Sequence, residues 1–222
     1  MLETDSVWSR ASSGAPDEIS ANLYNAVIGL TLLWGFGVNY YMIQAIDPMW
    51  VISLGFWPIF IGYMISAFAG IAIYTSSDSA LISFFGYNLI VAPISVLLTP
   101  LIHFTDPLII QKALYATGGV TATMMMLSTT FPRFFLSIGR TLFISLILMI
   151  LIEVGMMLMG MSEPSWIDWA VAGIFCGYIG FDWARANALP KTLDNAVDSA
   201  ASLYIDIINL FIRIVSILGR RD

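Results

Sequence analysis

Long apolar stretches separated by short polar breaks recur along this chain of 222 residues. A helix that crosses a bilayer needs about 20 consecutive, mostly apolar residues. Seven stretches meet that length, over about Leu23–Ile46, Trp50–Tyr74, Ala80–Ile102, Leu108–Leu127, Phe135–Met159, Trp166–Ala188 and Val197–Leu218. The breaks carry turn chemistry: Asp47-Pro48, Ser76-Ser77-Asp78, Asp106-Pro107, Phe131-Pro132-Arg133, Glu163-Pro164 and Pro190-Lys191. Short connections predict antiparallel neighbours. The pattern predicts an all-α integral membrane protein, a bundle of seven transmembrane helices. A polar N-terminal tail over residues 1–21 precedes a single transmembrane domain over 22–222.

Composition narrows the class. The chain is 59% hydrophobic and 11% charged, where a soluble domain carries about 25% charge. No Lys or Arg occurs between Arg10 and Lys112. A net charge of −6 argues against a nucleic-acid partner. The tail lacks the basic and apolar regions of a secretory signal, and one cysteine makes no intramolecular disulfide. The expected partner is the lipid bilayer. With the N-terminus inside, the inner segments hold Arg10, Arg133, Arg140, Arg185 and Lys191. The outer turns hold Asp47, His103, Asp106 and Glu163, which favours a cytoplasmic N-terminus. Arg220 and Arg221 run against that rule unless the last segment is re-entrant.

Two carboxylates stand well inside apolar runs, where charge is expensive and marks function. Asp182 and Asp206 flank the polar turn 185–198, and their mean position is 194. Both are therefore expected at similar depth and able to meet. Two carboxyls in low dielectric share a proton rather than ionise together, which makes a pH-sensitive latch. Deprotonated, the pair is a hard oxygen site for a transient Ca²⁺. The plain alternative is structural: Asp206 paired with Arg213, and Asp182 with Arg185. Glu153 is a third buried acid, a candidate path residue or a hydrogen-bonding partner of Asn39 or Asn88. Asn209, one turn after Asp206, is a candidate partner of the pair. Pro93 and Pro100 could bend the third segment. HExxH, GxSxG, P-loop and His-cluster motifs are lacking, as is the YD…GxGD pattern of intramembrane aspartyl proteases, so no enzyme activity and no cofactor are expected.

The segment SLYIDIINLFIRIVSILGRRD, 202–222, resembles the closing signature of the Bax inhibitor-1 family, in its bacterial YccA/YetJ-like branch. TTFPRFFLSIGRTLF, GYNLIVAPI and GYIGFDWARA resemble other parts of that family. The resemblance implies a seven-helix bundle with the last helix central, in the bacterial cytoplasmic membrane. It implies a pH-sensitive Ca²⁺ leak in which two aspartates, here Asp182 and Asp206, share protons and gate. Ca²⁺ is then the transported ion. It also implies an alternative, a non-conducting regulator of a membrane-bound AAA protease contacted through the tail. Relatives often hold a second-helix Arg against the aspartates. This chain has none, which leaves Lys112 and Arg213 as candidate counter-charges.

Overall fold

The computed structural model describes residues 18–162 and 164–220. The tail contact proposed for residues 1–21 rests mostly on positions outside that range, as do Arg10, Glu163 and Arg221. Eight helices are formed among the described residues: α1 Ala21–Ala45, α2 Pro48–Leu54, α3 Phe56–Ser76, α4 Ala80–His103, α5 Pro107–Thr130, α6 Pro132–Leu158, α7 Ser165–Ala188 and α8 Leu193–Gly219. Five of them (α1, α3, α4, α6 and α8) are long and apolar enough to cross a membrane. Seven crossings are thus not reproduced on length and composition alone. α5 and α7 are also 24 residues long, but α5 carries Lys112 and several threonines, and α7 carries Asp168, Asp182 and Arg185.

The second predicted stretch is two helices, not one. Gly55 breaks it with φ +78°, a left-handed backbone that glycine adopts without the Cβ penalty. The two Asp-Pro breaks are helix starts. Asp47 and Asp106 accept hydrogen bonds from the Met49 and Leu108 backbone N–H at 2.9 and 2.7 Å, and proline follows at the first helical position.

The chain forms two compact units. The first comprises the described residues up to Phe104 together with Ala186–Ser202; the second comprises Thr105–Arg185 and the residues from Leu203 onward. In the first unit α3 and α4 touch backbone to backbone. A Cβ on Gly70 would stand 2.5 Å from the Gly86 carbonyl oxygen, and one on Gly86 2.7 Å from that of Gly70. Small residues permit this approach where lipid supplies no hydrophobic drive. Pro93 has no N–H for the carbonyl of Leu89, and the Ser66 hydroxyl donates to that oxygen instead, at 2.6 Å. α4 therefore runs unbroken through both prolines. Asn39 of α1 donates to Val91 O and Ser95 Oγ, so its amide is used within this unit.

In the second unit the glycines of α7 admit the side chains of α6. A Cβ on Gly177 would meet Leu142, and one on Gly180 would overlap the Phe135 ring. Ser128 of α5 donates to Gly180 O, and Trp183 Nε1 donates to Thr129 Oγ1 at 2.9 Å. The outward side of α6 is Phe143, Ile144, Leu148 and Leu151, all exposed. A surface of that kind suits lipid and not water.

Candidate functional site

The site begins at the turn between α7 and α8. Thr192 caps α8 by accepting from Asn195 N–H at 3.1 Å, and Asn195 Nδ2 donates to Pro190 O. Lys191 Nζ donates to Ala186 O and Asn187 O at the end of α7. It also lies 4.5 Å from the centre of the Tyr24 ring. Burial lowers the pKa of the Lys191 ammonium from its ordinary value. Tyr24, fully buried, hydrogen-bonds Ala186 O, Asn195 O and Ser199 Oγ. Ile19 N–H donates to Lys191 O at 2.7 Å. The start of α1 thus holds the turn in place. Ser83 Oγ donates to Asp194 Oδ1 at 2.7 Å in the same unit.

In the second unit α7 and α8 bring Asp182 and Asp206 together. The two side chains lie within interaction range of one another. A hydrogen bond between them requires one to carry a proton, since two carboxylates have no donor between them. Asp206 is 5% exposed, and its Oδ2 accepts from no N–H or O–H among the described residues. Arg185, one turn after Asp182, stands 3.8 Å from Asp182 Oδ1. Tyr178 lies within electrostatic reach of both acids. The distance to Arg185 exceeds a charge-assisted hydrogen bond, so Arg185 acts here as a neighbouring charge.

The other predicted site residues lie elsewhere. Arg213 does not pair with Asp206. Its guanidinium reaches Glu153 Oε1 at 2.5 Å and Asp168 Oδ1 at 3.1 Å. Glu153 accordingly meets Arg213, while Asn39 and Asn88 hydrogen-bond within the first unit. Asn209 Nδ2 donates to Ile205 O in its own helix, at 2.8 Å, and not to the carboxyl pair. Lys112 is exposed on α5.

Asp168 escaped the reading of the sequence. It is 1% exposed, and its second oxygen accepts from Ser216 Oγ at 2.9 Å and pairs with Arg220 at 3.1 Å. The signal was available: the mirror about position 194 that relates 182 to 206 also relates 168 to 220. Thr117 and Thr121 of α5 were also missed. They stand one turn apart, and their buried hydroxyl oxygens have no hydrogen-bond partner among the described residues. No group of three or more His, Cys, Asp or Glu suited to a resident metal occurs among the described residues.

A model of the family described as "Inhibitor of apoptosis-promoting Bax1" matches residues 18–222. The chain belongs to the Bax inhibitor-1 family. Two proteins similar to it illustrate the range. "Bax inhibitor 1" of Schizosaccharomyces pombe is 35% identical over 123 residues, which are 53% of this chain and 45% of that protein. A Helicobacter pylori protein named only as uncharacterized is 31% identical over 113 residues, 50% of this chain and 47% of that protein. The chain spans about half the length of the curated relatives it matches. Family membership and the apolar helices together make this a multi-pass membrane protein of the Bax inhibitor-1 family.

Proposed function

We propose that this family member passes Ca²⁺ across a bacterial cytoplasmic membrane in a pH-dependent way, with Asp182 and Asp206 as its gate. The observation that carries the reading is the juxtaposition of the two carboxyls on α7 and α8. One shared proton holds α7 to α8 at that point. Loss of the proton leaves two carboxylates that repel in low dielectric and offer oxygen ligands to a passing divalent cation. Arg185 takes the place of the missing second-helix arginine, as the positive charge nearest the pair. The unpartnered hydroxyls of Thr117 and Thr121 supply polar footing in the middle of α5, which water or an ion can use.

In this reading α5 and α7 also cross the membrane, and α2 with α3 makes one crossing, for seven in all. The paired acids of α7 lower the cost of its insertion, because each finds a partner inside the protein. The N-terminus faces the cytoplasm.

The test is Ca²⁺ flux into liposomes across a pH series. The unsubstituted protein should conduct more as pH rises, and Asp206→Asn should conduct with little dependence on pH. Absence of flux at every pH, or an unaltered profile in Asp206→Asn, would overturn the proposal.

A further inference from the structure

A second set of charges sits in the unit formed by α5, α6, α7 and the later turns of α8, away from the carboxyl pair. Arg213 is seven residues beyond Asp206, or about 10 Å along the helix. Its planar guanidinium uses two edges at once. Nη2 meets Glu153 Oε1 on α6, and Nη1 meets Asp168 Oδ1 on α7. Arg220 Nη2 and Ser216 Oγ, both on α8, complete the contacts of Asp168 through Oδ2. Three helices are thereby joined through one buried carboxylate and one bridging arginine. In these contacts two carboxylates meet two guanidiniums.

We infer that Glu153, Asp168, Arg213 and Arg220 form an electrostatic clasp that ties the C-terminal turns of α8 to α6 and α7 and releases them when its carboxylates are neutralised. Arginine keeps its charge at every accessible pH, so only the two acids can change state. An ion pair needs the carboxylate form. A proton on Glu153 or Asp168 removes an attraction and leaves Arg213 and Arg220, on the same helix, without their full counter-charge. Losing one partner of a buried pair is far costlier than never having built it. The cluster is open to protons: the Asp168 side chain is 1% exposed, but those of Glu153 and Arg220 are 24% and 34% exposed. The clasp is closed where both acids are ionised and opens when they are protonated. This does not depend on ion passage, and it uses none of the groups proposed for the gate.

The test measures distances by paired spin labels in the full chain, reconstituted in bilayers, on a Cys176→Ala background. Labels at Leu151→Cys on α6 and Gly219→Cys at the end of α8 report the clasp. Labels at Ile65→Cys on α3 and Leu81→Cys on α4 report the rest of the fold. The clasp pair should give a narrow distribution at about pH 8 and lose it at about pH 2, well below the ordinary carboxylate range, while the α3–α4 pair stays narrow. In the Glu153→Gln/Asp168→Asn double variant the clasp pair should be broad at both values. Glu153→Gln alone, which keeps Asp168 with both arginines, guards against a double variant that fails to fold. Its clasp pair should still lose the narrow distribution at the lower pH. A clasp pair that stays narrow at both pH values, in the unsubstituted protein or in Glu153→Gln, overturns the inference. So does a pH response that survives the double variant, or joint broadening of both label pairs, which marks general unfolding.

Discussion

Asp168 and Asp206 are both buried acids, yet their surroundings differ in kind. Asp206 meets another acid, whereas Asp168 is saturated by two arginines and a hydroxyl. Removing Asp168 leaves two cations without their shared carboxylate, a loss of about 3–5 kcal/mol for a buried partner. Arg220→Ala removes the most exposed member and leaves Asp168 its contacts with Arg213 and Ser216. Thermal unfolding in detergent should therefore place Asp168→Ala well below Arg220→Ala, and equal losses would contradict the assignment. At this scale the sequence was half legible. An acid deep in an apolar run is conspicuous, so Asp182, Asp206 and Glu153 stood out. Asp168 lies in the first turn of its helix, where an acid looks like an ordinary terminal charge. Partner choice was also hidden, because seven residues of helix put Arg213 and Asp206 on one face but about 10 Å apart in height.

Helix by helix, apolar runs and Asp-Pro signals place most boundaries within a few residues. The break at Gly55 did not show, since a glycine inside an apolar run reads equally as packing or as a stop. Here its left-handed backbone makes it a stop. Gly70 and Gly86 illustrate the opposite case. Both are ordinary in the sequence, and both are required by the contact of α3 with α4. Gly86→Val should force these helices apart and cost about 1–3 kcal/mol of overpacking. The same change at Gly29, where an added Cβ would meet nothing within 4 Å, should be far milder. Comparing the melting temperatures of the two variants checks this. Pro93 and Pro100 are accommodated without a break in α4, and the Ser66 donor explains how the carbonyl freed by Pro93 is satisfied.

For the molecule as a whole, the lipid face and the aromatic residues near helix ends set its place in the bilayer. Trp50 and Trp57 flank the Gly55 break, and Trp166 and Trp169 stand at the start of α7; all four are at least half exposed. Indole rings prefer the level of the lipid headgroups. Single-tryptophan variants retaining any one of these should be quenched more by lipids brominated near the headgroup than by lipids brominated deep in the chain. Stronger quenching from the deep positions would contradict the proposed crossings of α3 and α7.

The sequence by itself determined the membrane setting, the all-helical class, the family and the two aspartates. Each of these rests on one-dimensional quantities: run length, charge content, a closing motif, and distance from a turn. Only the tertiary structure decided who meets whom. It joined Asp182 to Asp206 and gave Arg213 to Glu153 and Asp168. It also brought Tyr24 from the first helix onto the last turn. Those choices depend on helix rotation and relative height, which a run of apolar residues leaves open because nearly every face of it is equally suited to lipid or to a neighbour.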